Sequence, residues 1–437
     1  MEIVQHNSIT LKQIFQENWD HFLSIYSSLV SSYMAYNVWK IMNCREPEGL
    51  GYVTYACPVH VEEVCHVPRT CKSRFCSVCA KVQADKWVNG MNELFPNCSY
   101  FHVTFTVPSQ FRTLLFENRF LLNAVFSSCT ETLLSFCKEQ GFLPAITAVL
   151  HTFFIKPTFG GSDLKRHVHI HCILSAGGLK LTGKQERYTR FKKRKNKNPK
   201  AKMKPVSVLT KNPQWISWNK FPYKMLQKRY QALLIRHLKE QIQYHIKSDN
   251  PDPVLNLFSV PSAMKGFFDD LKKEYQYGFY VHISKERQEL EQTVKYVGRY
   301  ARRPPISEIR IKKNEGEYIQ FEYKDYRNNA NPVLYTLETV EFIRKLIRHI
   351  PPHYFNVIRH YGIVASRVKS LYKECTNTLL GKLTDVEKTE NWRERQTHFH
   401  GSDPMLCTIC NTLMKFVSAH YPNSLYSIKK QMDETYS

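Results

Sequence analysis

Three segments of the chain predict β-strands. In SYFHVTFTVPS (99–109), phenylalanine and valine share one face, whereas His102 and two threonines share the other. ITAVLHTFFIK (146–156) is a second, largely apolar strand. The third is HVHIHCILSAGG (167–178), which two glycines end. It places three histidines on one face and three apolar residues on the other, an unusual arrangement for a strand with a buried face.

Helical periodicity is found between and around these strands. The first forty or so residues predict helices, because aromatic and aliphatic positions recur at mixed three- and four-residue spacing. Further helices are predicted over about 111–140, 214–250, 289–301 and 336–350, and short strands over 277–284, 308–313 and 318–326. These elements predict an α+β fold. We expect a mostly antiparallel sheet of about five strands, with the histidine strand central and packed helices on both sides.

Composition and charge narrow the choice of partner. Of the 437 residues, 43% are hydrophobic and 13% aromatic, as in a folded globular protein. The formal net charge is +24, and an imbalance of that size usually indicates a polyanion, most often nucleic acid. We find no signal peptide and no apolar run of roughly 18 residues, so we expect a cytoplasmic protein without a membrane partner. Thirteen cysteines, several in CxxC spacing, favour a reducing compartment and metal thiolates over disulfides.

A basic run follows the histidine strand. RFKKRKNKNPKAKMK (190–204) includes Lys192, Lys193, Arg194 and Lys195, and a run of like charges is too repulsive to fold alone. Two interpretations are open, a solvated linker and an arm that contacts a phosphate backbone.

Cysteine and histidine cluster in CPVHVEEVCHVPRTCKSRFCSVC (57–79). A CxxH followed fifteen residues later by a CxxC is the spacing of a structural zinc site. We predict one zinc ion bound by four of these five residues: Cys57, His60, Cys71, Cys76 and Cys79. Because Lys72 and Arg74 lie among these ligands, we expect the same module to contact DNA.

A second group of metal-binding residues lies near the other end of the chain. HFHGSDPMLCTIC (398–410) contains His398, His400, Cys407 and Cys410. Cys407 and Cys410 are therefore candidates for a second, partial zinc site. An additional zinc ion bound through Cys65 or His66 has no further support in the sequence.

The histidine strand itself offers a site for a divalent metal ion. His169 and His171 flank one apolar residue, so a strand presents both imidazoles side by side to one ion while the residue between them anchors the strand in the core. The spacing alone is weak evidence, because a chain with 18 histidines produces such pairs by chance.

KYVGRYARR (295–303) offers a pair of candidate nucleophiles. Tyr296 and Tyr300 lie four residues apart and hence on one helical face, although two packed aromatic residues would show the same spacing. The surrounding basic side chains favour a phosphate-binding role: Arg299, Arg302 and Arg303.

Seven motifs occur in one order along the chain. They are CKSRFCSVC (71–79), FHVTFTVP (101–108), AVLHTFF (148–154), HVHIHCILSAGGL (167–179), YVGRYARRPPIS (296–307), FEYKDYR (321–327) and EFIRKLIRHIPPHYFNVIRHYGIVASR (341–367). This series resembles the rolling-circle insertion-sequence transposases of the two-tyrosine HUH class, which are related to Helitron transposases. The resemblance spans most of residues 50–410.

The resemblance implies a division of the chain into three parts. Residues 1–95 would form a helical N-terminal region with a zinc-binding module at about 57–79. Residues 96–310 would form an HUH nuclease domain with a basic insertion at about 184–204 and a helical segment at about 214–250. Residues 311–437 would form a C-terminal region with a candidate second zinc site.

The resemblance also assigns roles to residues. The family's metal-binding histidines fall on His169 and His171, and its nucleophiles on Tyr296 and Tyr300. A Mg²⁺ or Mn²⁺ ion would bind there, and three candidates stay open for its third ligand: His102, His167 and Gln292. The implied reaction nicks and rejoins single-stranded DNA at transposon-end hairpins through a 5′-phosphotyrosine.

Some positions depart from the family pattern, and two other functions have to be weighed. His60 stands where cysteine is more usual, and neither CSVC (76–79) nor CTIC (407–410) has the usual proline, which puts the exact zinc ligands in doubt. A plasmid relaxase or replication initiator would share the chemistry, although the order of the motifs favours a transposase. A non-catalytic zinc-containing regulator would bind DNA without forming a covalent adduct. The sequence does not specify the oligomeric state.

Overall fold

A computed structural model of the chain describes residues 9–153, 164, 166–181, 213–246, 253–256, 258–287, 294, 297–298, 304–325, 331–382 and 390–436. The helices described are α1 (Leu11–Tyr26), α2 (Ser32–Met42), α3 (Pro47–Leu50), α4 (Ser77–Leu94), α5 (Arg112–Glu117), α6 (Leu122–Glu139), α7 (Tyr223–Ile246), α8 (Pro253–Asn256), α9 (Pro261–Glu274), α10 (Thr339–Ile347), α11 (Lys369–Leu380), α12 (Trp392–His400) and α13 (Asn423–Tyr436). The strands are β1 (Tyr52–Ala56), β2 (Val64–Pro68), β3 (Tyr100–Thr106), β4 (Phe142–Phe153), β5 (Arg166–Lys180), β6 (Trp215–Ser217), β7 (Val281–Ile283), β8 (Ile311–Glu315), β9 (Tyr318–Asp325), β10 (Asn331–Glu338), β11 (Ile358–Gly362) and β12 (Lys415–His420). The predicted basic insertion at 184–204 lies outside the described residues.

The largest sheet has the order β11-β4-β5-β3-β7, and β6 pairs with the far end of β5. Every pairing in it is antiparallel. The histidine strand is β5, and it lies between β4 and β3 in the middle of the sheet. The α+β class and the antiparallel sheet with a central histidine strand are therefore confirmed.

The two faces of β5 contact different cores. Val168, Ile170 and Cys172 face a large apolar cluster that α6, α7 and α9 complete. On the other face, Ile173 packs beneath α4 and α11 in a smaller cluster that includes Trp87. Because side chains alternate along a strand, the histidines lie on this second face, beside the smaller cluster.

The N-terminal helices pack against a second, three-stranded sheet with the order β10-β9-β8. Helix α1 begins at a Thr10 cap, whose hydroxyl accepts a hydrogen bond from the Gln13 amide at 3.1 Å. The helix predicted over 336–350 is shorter in the structure, because residues 331–338 pair with β9 instead. Pairing with a distant strand has overridden the local helical pattern there.

A third sheet joins the two ends of the chain. Its order is β12-β1-β2, so that β1 pairs with β2 in a hairpin and with β12 from the C-terminal region. Helix α13 follows β12, and its Leu425 packs against the core of the N-terminal helices. The N-terminal hairpin and helices therefore contact β12 and α13 from the C-terminal region.

Among the described residues, one helical segment is long and apolar enough to cross a membrane. It covers Arg119–Glu139, and 67% of its apolar window is buried inside the structure. The segment contains α6, which contributes eight buried side chains to the large apolar cluster. Its apolarity is accounted for by this packing.

Candidate functional site

Antiparallel pairing brings a third histidine to the two of the histidine strand. The register between β4 and β5 places His151 opposite His169, so His151, His169 and His171 share one face of the sheet. All three are buried, and they offer ligand nitrogens that lie within 4.8 Å of one another. The ring centroids of His151 and His171 are 4.3 Å apart, and those of His169 and His171 are 4.7 Å apart. This histidine cluster can converge on one metal ion.

Burial keeps these imidazoles in the form that binds metals. It lowers the pKa of His169 to about 4. It also holds the pKa of His151 well below its ordinary value, and the nearby His169 and Arg74 act in the same direction. Since a neutral imidazole has a free lone pair and an imidazolium does not, His151 and His169 present neutral donors at neutral pH.

Two of the three predicted third ligands lie next to the cluster without being part of it. His102 of β3 places its Nε2 2.6 Å from Nδ1 of His171, and the Thr104 hydroxyl lies 3.1 Å from the same Nδ1. Because that nitrogen is engaged, a metal ion would take Nε2 of His171. The third histidine that lies with His169 and His171 is thus His151, and His102 contacts His171 from the neighbouring strand.

His167 contacts His169 instead of completing the cluster. Its Nδ1 lies 3.2 Å from Nδ1 of His169, and burial lowers its pKa to about 3. Gln292, the remaining candidate, lies outside the described residues. His102 and His167 thus lie beside the histidine cluster, and each contacts one of its members.

Tyr296 and Tyr300 also lie outside the described residues, as do Arg299, Arg302 and Arg303. Their described neighbours in sequence are Val294, Val297 and Gly298, which are helical and buried. Val294 and Val297 belong to the apolar cluster that covers the histidine face of the sheet. A Cβ atom on Gly298 would lie 2.7 Å from the Trp87 ring of α4, so this glycine permits the Trp87 ring to pack closely against the backbone at residue 298.

The cysteines of the predicted zinc module form a cluster with one residue that the sequence analysis did not select. Cys44, Cys71, Cys76 and Cys79 are buried, and their sulfur atoms lie within 4.8 Å of one another. The Cys44 Sγ lies 3.7 Å from the sulfurs of Cys76 and Cys79, and hydrogen bonds from Cys71 and Cys76 lower the pKa of Cys44 to about 7. This four-cysteine cluster is suited to structural zinc.

The other two predicted ligands lie in a different cluster. Cys57 and His60 meet Cys407 and Cys410 from the C-terminal region. The structure therefore divides the five predicted ligands between two clusters and does not bring them to one ion. The reason is the β1–β2 hairpin, which carries Cys57 and His60 away from the loop of Cys71 and towards β12.

The remaining candidate ligands stand apart from both clusters. Cys65 and His66 lie on β2, where Nδ1 of His66 is 3.0 Å from the Thr54 hydroxyl. His398 and His400 are exposed in the last turn of α12. None of these four belongs to a metal-binding group among the described residues.

The two basic residues predicted in the zinc module have different surroundings. Lys72 is exposed and has a positive φ of 52° in the loop between two cysteine ligands. Arg74 is half-buried and donates a hydrogen bond to the His349 backbone oxygen at 2.8 Å. Arg74 therefore connects the loop between Cys71 and Cys76 (the zinc loop) to the residues that follow α10. Lys192, Lys193, Arg194 and Lys195 lie outside the described residues.

Sequence reasoning missed His151 and Cys44 for the same reason. Neither residue belongs to a metal-binding spacing such as CxxC or HxH. Each reaches its cluster through contacts with residues that are distant in sequence. The available signal for His151 was its position inside the AVLHTFF motif, on a strand predicted to neighbour the histidine strand. Cys44 had no comparable signal, since it lies 27 residues before Cys71.

Comparison with known proteins adds family matches to this geometry. Residues 145–371 match the family described as "Putative transposase", and residues 14–107 match the family described as "Transposase zinc-binding domain". The first match covers more than half of the chain. The second contains all four members of the four-cysteine cluster.

Two curated relatives align over most of their length. A transposase for insertion sequence element IS801 from Pseudomonas savastanoi pv. phaseolicola is 27% identical over 417 residues, which is 94% of this chain and 89% of the relative. A protein named putative transposase y4qJ from Sinorhizobium fredii (strain NBRC 101917 / NGR234) is 25% identical over 356 residues, or 78% of each chain. No solved structure gives a significant match.

Proposed function

Since this chain belongs to the family of insertion-sequence transposases that includes the IS801 transposase, we propose that it nicks and rejoins single-stranded DNA at transposon ends. The proposed chemistry is that of a two-tyrosine HUH nuclease, in which a 5′-phosphotyrosine links protein to DNA. The observation that carries the proposal is the histidine cluster of His151, His169 and His171 on the sheet face where Val294 and Val297 pack.

The donor set of the histidine cluster fits a divalent cation. It offers neutral nitrogen donors from two adjacent strands, and His102 and Thr104 hold one of them in orientation. An all-imidazole set suits Mn²⁺ better than Mg²⁺, which prefers oxygen ligands. When bound, such an ion would act as a Lewis acid on the scissile phosphate.

The proposed nucleophiles are Tyr296 and Tyr300. The phenol oxygen of one tyrosine forms a bond to phosphorus while the bond from phosphorus to the 3′ oxygen breaks. The phenol gives up its proton and the leaving 3′ oxygen gains one, so the products are a 5′-phosphotyrosine and a free 3′-hydroxyl. Attack of a 3′-hydroxyl on the phosphotyrosine reverses the step and rejoins DNA, and the second tyrosine permits a second cut before the first end is released.

Basic side chains would hold the DNA. We propose that Arg299, Arg302 and Arg303 bind phosphates near the tyrosines and that Lys72 adds a contact from the zinc loop. The net charge of +24 favours such contacts and predicts that DNA binding weakens as salt concentration rises. Terminal hairpins are the expected substrates, because they present single-stranded bases next to a duplex.

A covalent-adduct gel tests this proposal. Labelled single-stranded oligonucleotides and hairpins are incubated with Mn²⁺ and the full-length chain, and the products are separated in SDS. We expect an SDS-resistant adduct with the wild type, none with the Tyr296→Phe/Tyr300→Phe double variant, and a large loss with His151→Ala or His169→Ala. The single tyrosine variants rank the two nucleophiles.

The matched control is His282→Ala. His282 lies on β7 of the same sheet but is exposed and is not a member of the histidine cluster, so its removal should leave the adduct in place. An adduct that persists in the double tyrosine variant would overturn the assignment of the nucleophiles. DNA binding without any adduct across all substrates would instead favour a non-catalytic regulator.

A further inference from the structure

The cluster of Cys57, His60, Cys407 and Cys410 has the dimensions of a tetrahedral zinc site. The sulfur atoms of Cys57 and Cys410 are 3.6 Å apart, and Nδ1 of His60 lies 3.7 Å from the sulfur of Cys407. Zinc–sulfur bonds of about 2.3 Å set tetrahedral sulfur atoms roughly 3.8 Å apart. The four side chains are therefore already at the separations that one ion requires.

Backbone donors and a small apolar shell support these ligands. The amides of Val59 and His60 donate hydrogen bonds to the Cys57 sulfur at 3.4 and 3.3 Å, an arrangement that stabilises a thiolate. Cys57 and Cys407 are buried with Met405 and Met414 in a cluster separate from the other cores. Such a shell shields the sulfur atoms of Cys57 and Cys407 from water, whereas His60 and Cys410 lie nearer the surface.

This site is independent of the four-cysteine cluster. Each cluster has four ligands of its own, so neither needs a residue of the other. The four-cysteine cluster lies entirely within the matched zinc-binding family, whereas Cys407 and Cys410 lie outside both matched regions, which end at residues 107 and 371. Two of its ligands are thus supplied by a part of the chain to which neither family match extends.

The two segments that supply the ligands are also joined by strand pairing and by side-chain contacts. β1 leads directly into Cys57 and pairs with β12, which begins five residues after Cys410. The Thr408 hydroxyl donates a hydrogen bond to the Glu63 carboxylate at 2.9 Å, and the guanidinium of Arg69 lies 4.1 Å from the ring of Tyr421. Each contact crosses between the N-terminal hairpin and the C-terminal region.

We propose that Cys57, His60, Cys407 and Cys410 bind a second structural zinc ion, which fastens the C-terminal region to the N-terminal zinc module. Such an ion would close a loop of the chain from residue 57 to residue 410, and this loop includes every strand of the largest sheet. The module is therefore complete only when both ends of the chain are present. Because the site forms only in the folded chain, the free energy of zinc binding stabilises the folded state of β12 and of the segment that follows it.

Cobalt substitution of the full-length chain tests the proposal. Co²⁺ bound to thiolates in tetrahedral sites gives charge-transfer absorption that Co²⁺ on histidines alone does not, so the plateau height of that absorption counts equivalents of thiolate-bound Co²⁺ even where the histidine cluster also takes up Co²⁺. We expect a plateau that corresponds to two equivalents of thiolate-bound Co²⁺ per chain in the wild type and to one equivalent in Cys410→Ser. Cys65→Ser is the matched control, since Cys65 lies on the same hairpin but outside both clusters, and it should retain two equivalents.

A conservative variant and a structural readout complete the design. His60→Cys should retain two equivalents and shift the spectrum towards that of a four-thiolate site, which guards against misfolding of Cys410→Ser as the explanation. In Cys410→Ser, amide hydrogen exchange should accelerate in β12 while β4 and β5 keep their protection. Saturation at one equivalent in the wild type, or two equivalents retained in Cys410→Ser, would overturn the second zinc site. Unchanged exchange in β12 would overturn its fastening role.

Discussion

At the scale of single residues, burial of imidazoles has a consequence that can be measured apart from catalysis. His349 is buried and places its Nδ1 3.0 Å from the Thr152 hydroxyl. Burial, reinforced by the charge of Arg74, lowers the pKa of His349 to about 3. The unfolded chain takes up a proton at this residue below about pH 6.5, whereas the folded chain does not until near pH 3.

The variant His349→Gln should therefore alter how stability depends on pH. With a folded pKa below the unfolded value, His349 stabilises the fold above pH 6.5 and loses that contribution as the pH falls. One such group adds a slope of about 1.4 kcal/mol per pH unit between roughly pH 6 and pH 4. Urea unfolding of His349→Gln at several pH values should show a slope smaller by that amount.

Thr152→Val is the matched variant for this measurement. It removes the hydroxyl beside His349 but leaves the imidazole buried, so the wild-type slope between pH 6 and pH 4 should persist. Equal slopes for wild type and His349→Gln would contradict the assignment of a buried, neutral imidazole.

At the scale of secondary-structure elements, the approach of α4 to residues 297 and 298 joins the four-cysteine cluster to the largest sheet. Helix α4 follows Cys76 of the four-cysteine cluster, which is its N-cap residue, and places Trp87 over the histidine face of the sheet. A Cβ atom on Gly298 would lie 2.7 Å from two carbons of the Trp87 ring. Real Cβ contacts do not approach that closely, so any larger residue must displace the backbone or the ring.

Gly298→Ala should therefore lower the free energy of unfolding by about 1–3 kcal/mol through overpacking. Its control is Gly90→Ala in the middle of α4, where nothing lies within 4 Å of the added Cβ atom. That change should stabilise the protein by roughly 0.5–1 kcal/mol, because alanine is the better helix former. Urea unfolding measures both, and a Gly298→Ala variant as stable as the wild type would show that the close approach does not hold in solution.

The elements predicted from sequence were those with local signals. The strand of SYFHVTFTVPS became β3 and the histidine strand became the centre of the sheet, because alternation along a strand is set by which face is buried. Partners that depend on pairing between distant strands were not predictable. His151 reaches the site through the register of β4 on β5, and Cys407 and Cys410 meet Cys57 only because β12 pairs with β1.

At the scale of the whole molecule, the family expected from the order of motifs is confirmed by the two family matches and the IS801 relative. Cysteine spacing was a good guide to zinc binding and a poor guide to which residues share an ion. The single predicted zinc site required four of five nearby ligands, whereas the folded chain completes each cluster with residues from elsewhere. Spacing along the chain cannot show that the β1–β2 hairpin places the CxxH pair (57–60) and the CxxC pair (76–79) in different clusters.

The proposed metal ion at the histidine cluster of this transposase would contact the scissile phosphate. The most direct measurement replaces a non-bridging oxygen of that phosphate with sulfur and compares cleavage rates with Mg²⁺ and with Mn²⁺. We predict slow cleavage of the sulfur substrate with Mg²⁺ and recovery with Mn²⁺, because Mn²⁺ accepts a sulfur ligand and Mg²⁺ does not. Equal sulfur effects with both ions in both phosphorothioate isomers would contradict direct metal–phosphate contact.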